Sequence, residues 1–252
     1  MTVAWPDPLS LAIIVAALGL GGLTKGLTGV GLPLVAIPMM ASFWPVERAV
    51  AVLVLPGIIA NGWLMWTHRE AARGLPFLPV VIVTGLVGAV GGSWLLSALD
   101  NRILALVLAF WAGLYLINLG INPRFAISPS VARRLAIPVS LVGGITQGAT
   151  GVSAPVYGTY LHAQRLPQKT YVFAITAIFQ ALAAAQLVAL WQFGVFTAER
   201  LIEGTLALVP VLVCVPLGIR LGRRIGRALF DKLIIGLLIA MEARLLYIGL
   251  AG

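Results

Sequence analysis

Gly21-Gly-Leu-Thr-Lys25-Gly-Leu-Thr-Gly-Val-Gly-Leu-Pro33 lies between two apolar runs, and its reading decides the fold. It holds five glycines, two threonines, a lysine and a proline. The stretch returns 122 positions later as Gly143-Gly-Ile-Thr-Gln147-Gly-Ala-Thr-Gly-Val-Ser-Ala-Pro155. Eight of the thirteen positions are identical, and the main chemical change is Lys25 to Gln147. A glycine-dense element that recurs once per half of an apolar chain is the mark of a membrane transporter built from two repeats.

Composition agrees. Of 252 residues, 60% are hydrophobic and 10% charged, and mean hydropathy is +1.03. Soluble domains carry about 25% charged residues, so the chain reads as an all-α integral membrane protein. The net charge of +9 does not point to nucleic acid, because the arginines sit in short loops between apolar runs, where they set orientation in a bilayer. The single cysteine, Cys214, lies in an apolar run and reads as a packed thiol. The first ten residues have no Lys or Arg, so the positive start of a cleaved leader is missing.

A crossing helix needs about 20 apolar residues. Segments 48–66, 77–98, 103–121, 171–193, 201–219 and 233–251 qualify. Residues 9–43 and 135–161 are too long for one helix, and a glycine motif cuts each into legs of about 13–15 residues. Short, interrupted segments at matching places in two halves predict discontinuous helices around a midplane site. Each repeat, about 9–121 and 135–251 of a single domain spanning 1–252, is therefore expected to be a Gly-broken helical hairpin followed by three spanning helices.

Charge tests the topology. If each motif region enters and leaves on one side, one face collects twelve basic residues: Arg69, Arg73, Arg124, Arg133, Arg134, Arg165, Lys169, Arg220, Arg223, Arg224, Arg227 and Lys232. The other face keeps Arg48, Arg102 and Arg200. The positive-inside rule then predicts cytoplasmic Arg-rich loops and both termini outside. Three full crossings per half make the two repeats inverted. Hairpins that are re-entrant and hairpins that cross fully give the same parity.

The paired motifs, with Lys25-Gly26 and Gly29-Val30-Gly31 in the first and Gly143–Pro155 in the second, resemble the sulfite exporter TauE/SafE family of membrane transporters. The resemblance covers nearly the whole chain. It implies a secondary transporter in the cytoplasmic membrane that moves sulfite, organosulfonates or related small anions, with an anion channel as the alternative. The second motif departs at Gln147, Ser153 and Ala154 and is the less glycine-rich of the two.

The chemistry of the motifs fits an anion. Gly26, Gly29, Gly31, Gly148 and Gly151 permit unusual backbone angles and let a ligand approach the main chain. A half-helix N-terminus presents free N–H groups and partial positive charge. Thr24, Thr28, Thr146, Thr150 and Ser153 add hydroxyls. Lys25 is the sharpest candidate, since a charge deep in a membrane segment is costly and by default functional. Gln147 stands at its place in the second half.

Each has a plainer reading. Gly22/Gly26 and Gly144/Gly148 also match the small-xxx-small spacing of close helix packing. The threonines can bond their own helices. Lys25 can snorkel to an interface or balance Glu242.

Asn61 and Gln180 occupy the first spanning helix of each half and are candidates to line the cavity, with an interhelical hydrogen bond as the alternative. Gln186, Gln192 and Asn118 are weaker candidates. Glu242 is the one carboxylate deep in an apolar run, a proton-coupling site or a counter-ion for Lys25 or Arg244.

No P-loop, Gly-x-Ser-x-Gly elbow, His-Glu-x-x-His or Cys-x-x-Cys occurs, so neither an enzyme nor an ATP-driven pump is expected. No metal or cofactor is expected. The partners implied are a small anion, the lipid bilayer and, as coupling ion, the proton; a homo-oligomer is compatible with the composition.

Overall fold

The computed structural model describes residues 5–28, 31–120, 126–221 and 227–251. The order is α1 (Pro8–Thr28), α2 (Leu32–Ala41), α3 (Val46–Thr67), a 3₁₀ turn (Arg69–Ala72), α4 (Leu78–Ala98), α5 (Asn101–Gly120), α6 (Pro129–Thr150), α7 (Ala154–Ala163), α8 (Gln168–Gln192), α9 (Ala198–Leu206), α10 (Leu208–Leu221) and α11 (Arg227–Ala251). No strand occurs among the described residues. Five stretches are long and apolar enough to cross a membrane: Pro8–Leu27, Val46–Thr67, Leu78–Ala98, Gln168–Gln192 and Ala198–Leu221. Large apolar side chains such as Val83, Val87, Phe110, Val209 and Val213 face outward, as a lipid-facing surface requires. The chain is a polytopic helical membrane protein.

Local chemistry sets many boundaries. Asp7 caps α1, accepting from Ser10 N at 2.9 Å. Ser128 caps α6 and Thr197 caps α9 in the same way. α3 and α8 both begin directly after a proline, Pro45 and Pro167.

Two expectations are corrected. The legs around each motif are unequal. The first legs, α1 and α6, have 21 and 22 residues, and the second, α2 and α7, have ten each. Most motif glycines stay helical because another helix lies against them. A Cβ at Gly26 would sit 2.8 Å from Ile219 N of α10, and one at Gly144 would sit 2.9 Å from Ala89 N of α4. Close backbone packing of this kind outweighs glycine's helix penalty of about 1 kcal/mol. The helix breaks therefore fall at the ends of the motifs, just before Leu32 and at Gly151–Ser153. Segment 201–219 is also not one helix. A one-residue turn at Ala207 separates α9 from α10 within the span Ala198–Leu221, where Pro210 has no N–H to give to the carbonyl of Leu206.

The packing is reciprocal. α4 of the first half lies along α6 of the second, and α10 of the second half lies along α1 of the first. α3 packs on α8, and α5 on α11. Two apolar cores result. One centres on Leu18, Leu34, Ile37, Val52 and Leu108, the other on Val81, Tyr157, Leu161, Ile178 and Leu182. At the start of α3, Arg48 pairs with Glu203 of α9, and Arg200 of α9 pairs with Glu47 at 3.2 Å.

Candidate functional site

The two breaks bring charge and amides to one place. Lys25 lies in the last turn of α1 and is 1% exposed. Its Nζ donates to Asn61 Oδ1 on α3 at 2.6 Å. No carboxylate pairs with it among the described residues. A lysine cation held this deep with a neutral partner, Asn61, favours a negative charge nearby.

Gln147, at the matching place in α6, meets Gln186 of α8. Gln147 Nε2 donates to Gln186 Oε1 at 3.0 Å. Gln186 Nε2 donates to the carbonyls of Gln147 and Gly148 at 2.8 and 3.1 Å. Ser153, just past the break, donates to Gln147 Oε1 at 2.7 Å. Carbonyls left over at the end of α6 thus find partners, as Gly151 N also donates to Gln147 O.

Between these clusters lies a cavity of ≈ 20 Å³, room for about one water molecule. Asn61, Gln147 and Gln186 are its polar lining. Pro33 at the start of α2 and Gly151 at the end of α6 bring both breaks to it. Val50, Leu53, Val54 and Gly57 of α3 and Phe179 and Ala183 of α8 complete the wall. Among the described residues no acidic side chain lines it. Lys25 does not line it either, and reaches it through Asn61.

The break geometries differ. Gly31 has φ 124°, and Gly151 has φ 70°; both are conformations that favour glycine. Ser153, which stands where the first motif has Gly31, has φ −120° and so needs no glycine.

The other candidates separate. Thr24, Thr146 and Thr150 donate to carbonyls of their own helices, at 2.8, 2.9 and 2.8 Å. Thr150 also accepts from Val152 N, at 3.2 Å. Gly26 and Gly148 are packing contacts against α10 and α4. Gly29 lies outside the described residues, as does the side chain of Thr28. Gln180 is half-buried against α3, its Oε1 3.8 Å from the place a Cβ of Gly62 would take, and it is not part of the cavity lining.

Glu242 faces α5 at Gly113 and makes no ion pair among the described residues. Arg244 instead donates to Ser42 O at 2.6 Å, at the end of α2. Gln186 was underrated by sequence. Its signal is a second amide six residues beyond Gln180 on the same helix, a spacing that alone names no partner.

Neither the curated proteins nor the solved structures offer a match to the chain. The family model of the sulfite exporter TauE/SafE matches residues 13–245, and with that span nearly the whole chain belongs to this family of membrane transporters.

Proposed function

We propose that this chain is a secondary transporter, working as an exporter, of small sulfur-containing anions. The anion binds near mid-membrane between the two helix breaks. The repeats are inverted, with a pseudo-two-fold axis in the membrane plane, and alternating access moves them around the site. The arginine-rich loops face the cytoplasm and both termini face outward, in the inner membrane.

One observation carries the reading. Lys25 is a buried cation whose partner is a neutral amide, set beside a cavity that both breaks reach. The reciprocal packing of α4 on α6 and α10 on α1 supports a two-fold arrangement of the halves.

The test is sulfite uptake into proteoliposomes holding wild type or Lys25→Gln, with and without a pH gradient. Uptake by wild type and its loss in the variant are expected, and acceleration by the gradient would add proton coupling. A large conductance indifferent to the gradient would turn the reading to a channel. Equal uptake by the two proteins would remove Lys25 from the site.

A further inference from the structure

Glu242 has two roles open to it by sequence, proton site or counter-ion, and the cations named for the second are engaged elsewhere. Lys25 Nζ is bound to Asn61 of α3. Arg244 donates from Nε to Ser42 O at 2.6 Å and lies over the Phe43 ring at 4.9 Å. Among the described residues neither pairs with Glu242.

The carboxyl group lies between α11 and α5. A Cβ at Gly113 would sit 3.3 Å from Glu242 Oε1, so glycine leaves the room that the group occupies. Oε2 is buried and has no hydrogen-bond partner. A neutral acid fits an apolar contact, whereas a carboxylate needs a partner. The helices packed on α11 are α5 and α2. α2 has no titratable side chain. On α5, Arg102 donates to the carbonyls of Gly249 and Leu250, about two turns further along α11. On α11 itself, Arg244 turns to Ser42 and Tyr247 is exposed. The side chains of Tyr115, Arg227, Asp231 and Lys232 lie outside the described residues.

The neighbours of Glu242 tie it to a helix break. Ser42 Oγ donates to Met241 Sδ at 3.3 Å, and Arg244 holds the Ser42 carbonyl. Ser42 caps the end of α2. That helix has ten residues, about 15 Å. Its other end begins at the first break and puts Pro33 in the cavity wall.

We infer that Glu242 is a proton-binding site between α5 and α11, and that Arg244 and α2 pass its change of charge to the first helix break, coupling proton movement to anion movement. The inference rests on the transport reading above. The carboxylate takes a proton from one side of the membrane and releases it to the other, so only an O–H bond forms and breaks. As the neutral acid the group packs against Gly113. As the ion it leaves that contact, and α11 draws the end of α2 with it. Arg244 is a positioning residue.

Two measurements on the full chain test this. In detergent, infrared titration is expected to show the C=O band of a protonated carboxyl group in wild type, and its loss in Glu242→Gln. Glu242→Asp, whose shorter side chain withdraws from Gly113, serves if that variant does not fold, and its titration is expected to move. In proteoliposomes, radiolabelled sulfite uptake is compared with and without a gradient of about one pH unit, with protein-free vesicles as the blank for passive leak. The ratio of the two uptakes is expected to be about ten in wild type and about one in Glu242→Gln. Arg244→Met is expected to keep the carboxyl band and lose the ratio, a split that a merely structural arginine would not give.

An identical carboxyl titration in wild type and Glu242→Gln would overturn the proton site. Sulfite uptake by wild type that ignores the gradient would overturn the coupling and leave the transport reading in place. A full gradient response in Arg244→Met would overturn the route through α2. No sulfite uptake by wild type would overturn the transport reading, and the coupling with it, even with the carboxyl band present.

Discussion

The two motifs began as near copies, and the structure gives them different work. In the first, Lys25 reaches Asn61. In the second, Gln147 closes a ring with Gln186 and Ser153 that uses up its own hydrogen bonds. One half brings electrostatics to the cavity, and the other braces the shape around it. Two pairs of shared glycines do the same thing in both halves. Gly22 and Gly26 let α10, and Gly144 and Gly148 let α4, come within backbone contact. What is repeated in the sequence is therefore packing, and what differs between the repeats is chemistry.

The largest expected effect attacks what the halves share. Gly26→Leu and Gly148→Leu each drive a side chain into the backbone of a neighbouring helix. Both are expected to abolish a monodisperse peak in size-exclusion chromatography, because backbone cannot yield as a side chain can. A folded Gly148→Leu protein would show that the α4–α6 contact is dispensable.

The next pair separates the halves. Lys25→Met is expected to lower sulfite uptake about 100-fold, the equivalent of about 2.8 kcal/mol. It should melt no lower than wild type, since an apolar side chain in place of a buried charge is often neutral or stabilising. Gln147→Met should do the reverse. It leaves Gln186 Oε1 and Ser153 Oγ without the Gln147 side chain, at about 1–3 kcal/mol, so its melting temperature falls while uptake per folded molecule stays within about tenfold of wild type. Differential scanning fluorimetry beside transport checks both. Matching behaviour of the two variants would erase the division of labour.

Much of the fold was legible because lipid imposes simple rules on helices. Segment length and apolarity located the spans, and the duplicated motif located the breaks. The unequal legs were hidden, because a glycine in sequence does not say whether it bends its own helix or admits another. Gly144 and Gly148 stay helical, and the backbone of α4 occupies the place their side chains would take.

The pairing of Gln147 was hidden for a geometric reason. α3 and α8 start alike, after Pro45 and Pro167, so the position matching Asn61 is Ala183. Gln180 and Gln186 each lie three residues from it, about 60° to either side on a helix with 3.6 residues per turn. Only the placement of α6 decides between them, and that is tertiary information. The choice of Asn61 was accessible, because a lone amide among the apolar residues of α3 has few other uses.

The smallest effect sharpens the comparison at the breaks themselves. Gly31 holds φ 124°, where a side chain is strained by on the order of 1–3 kcal/mol. Gly31→Ser, which copies the second motif into the first, is therefore expected to lower the melting temperature measurably. Ser153→Gly, which copies the first into the second, meets no such barrier, since Ser153 sits at φ −120°. It loses only the bond from Ser153 Oγ to Gln147 Oε1, about 1 kcal/mol. The serine is tolerated in the second motif because the left-handed residue there is Gly151, two positions earlier. Equal melting of the two variants would mean that the breaks are interchangeable, and that Ser153 is present for a reason other than holding Gln147.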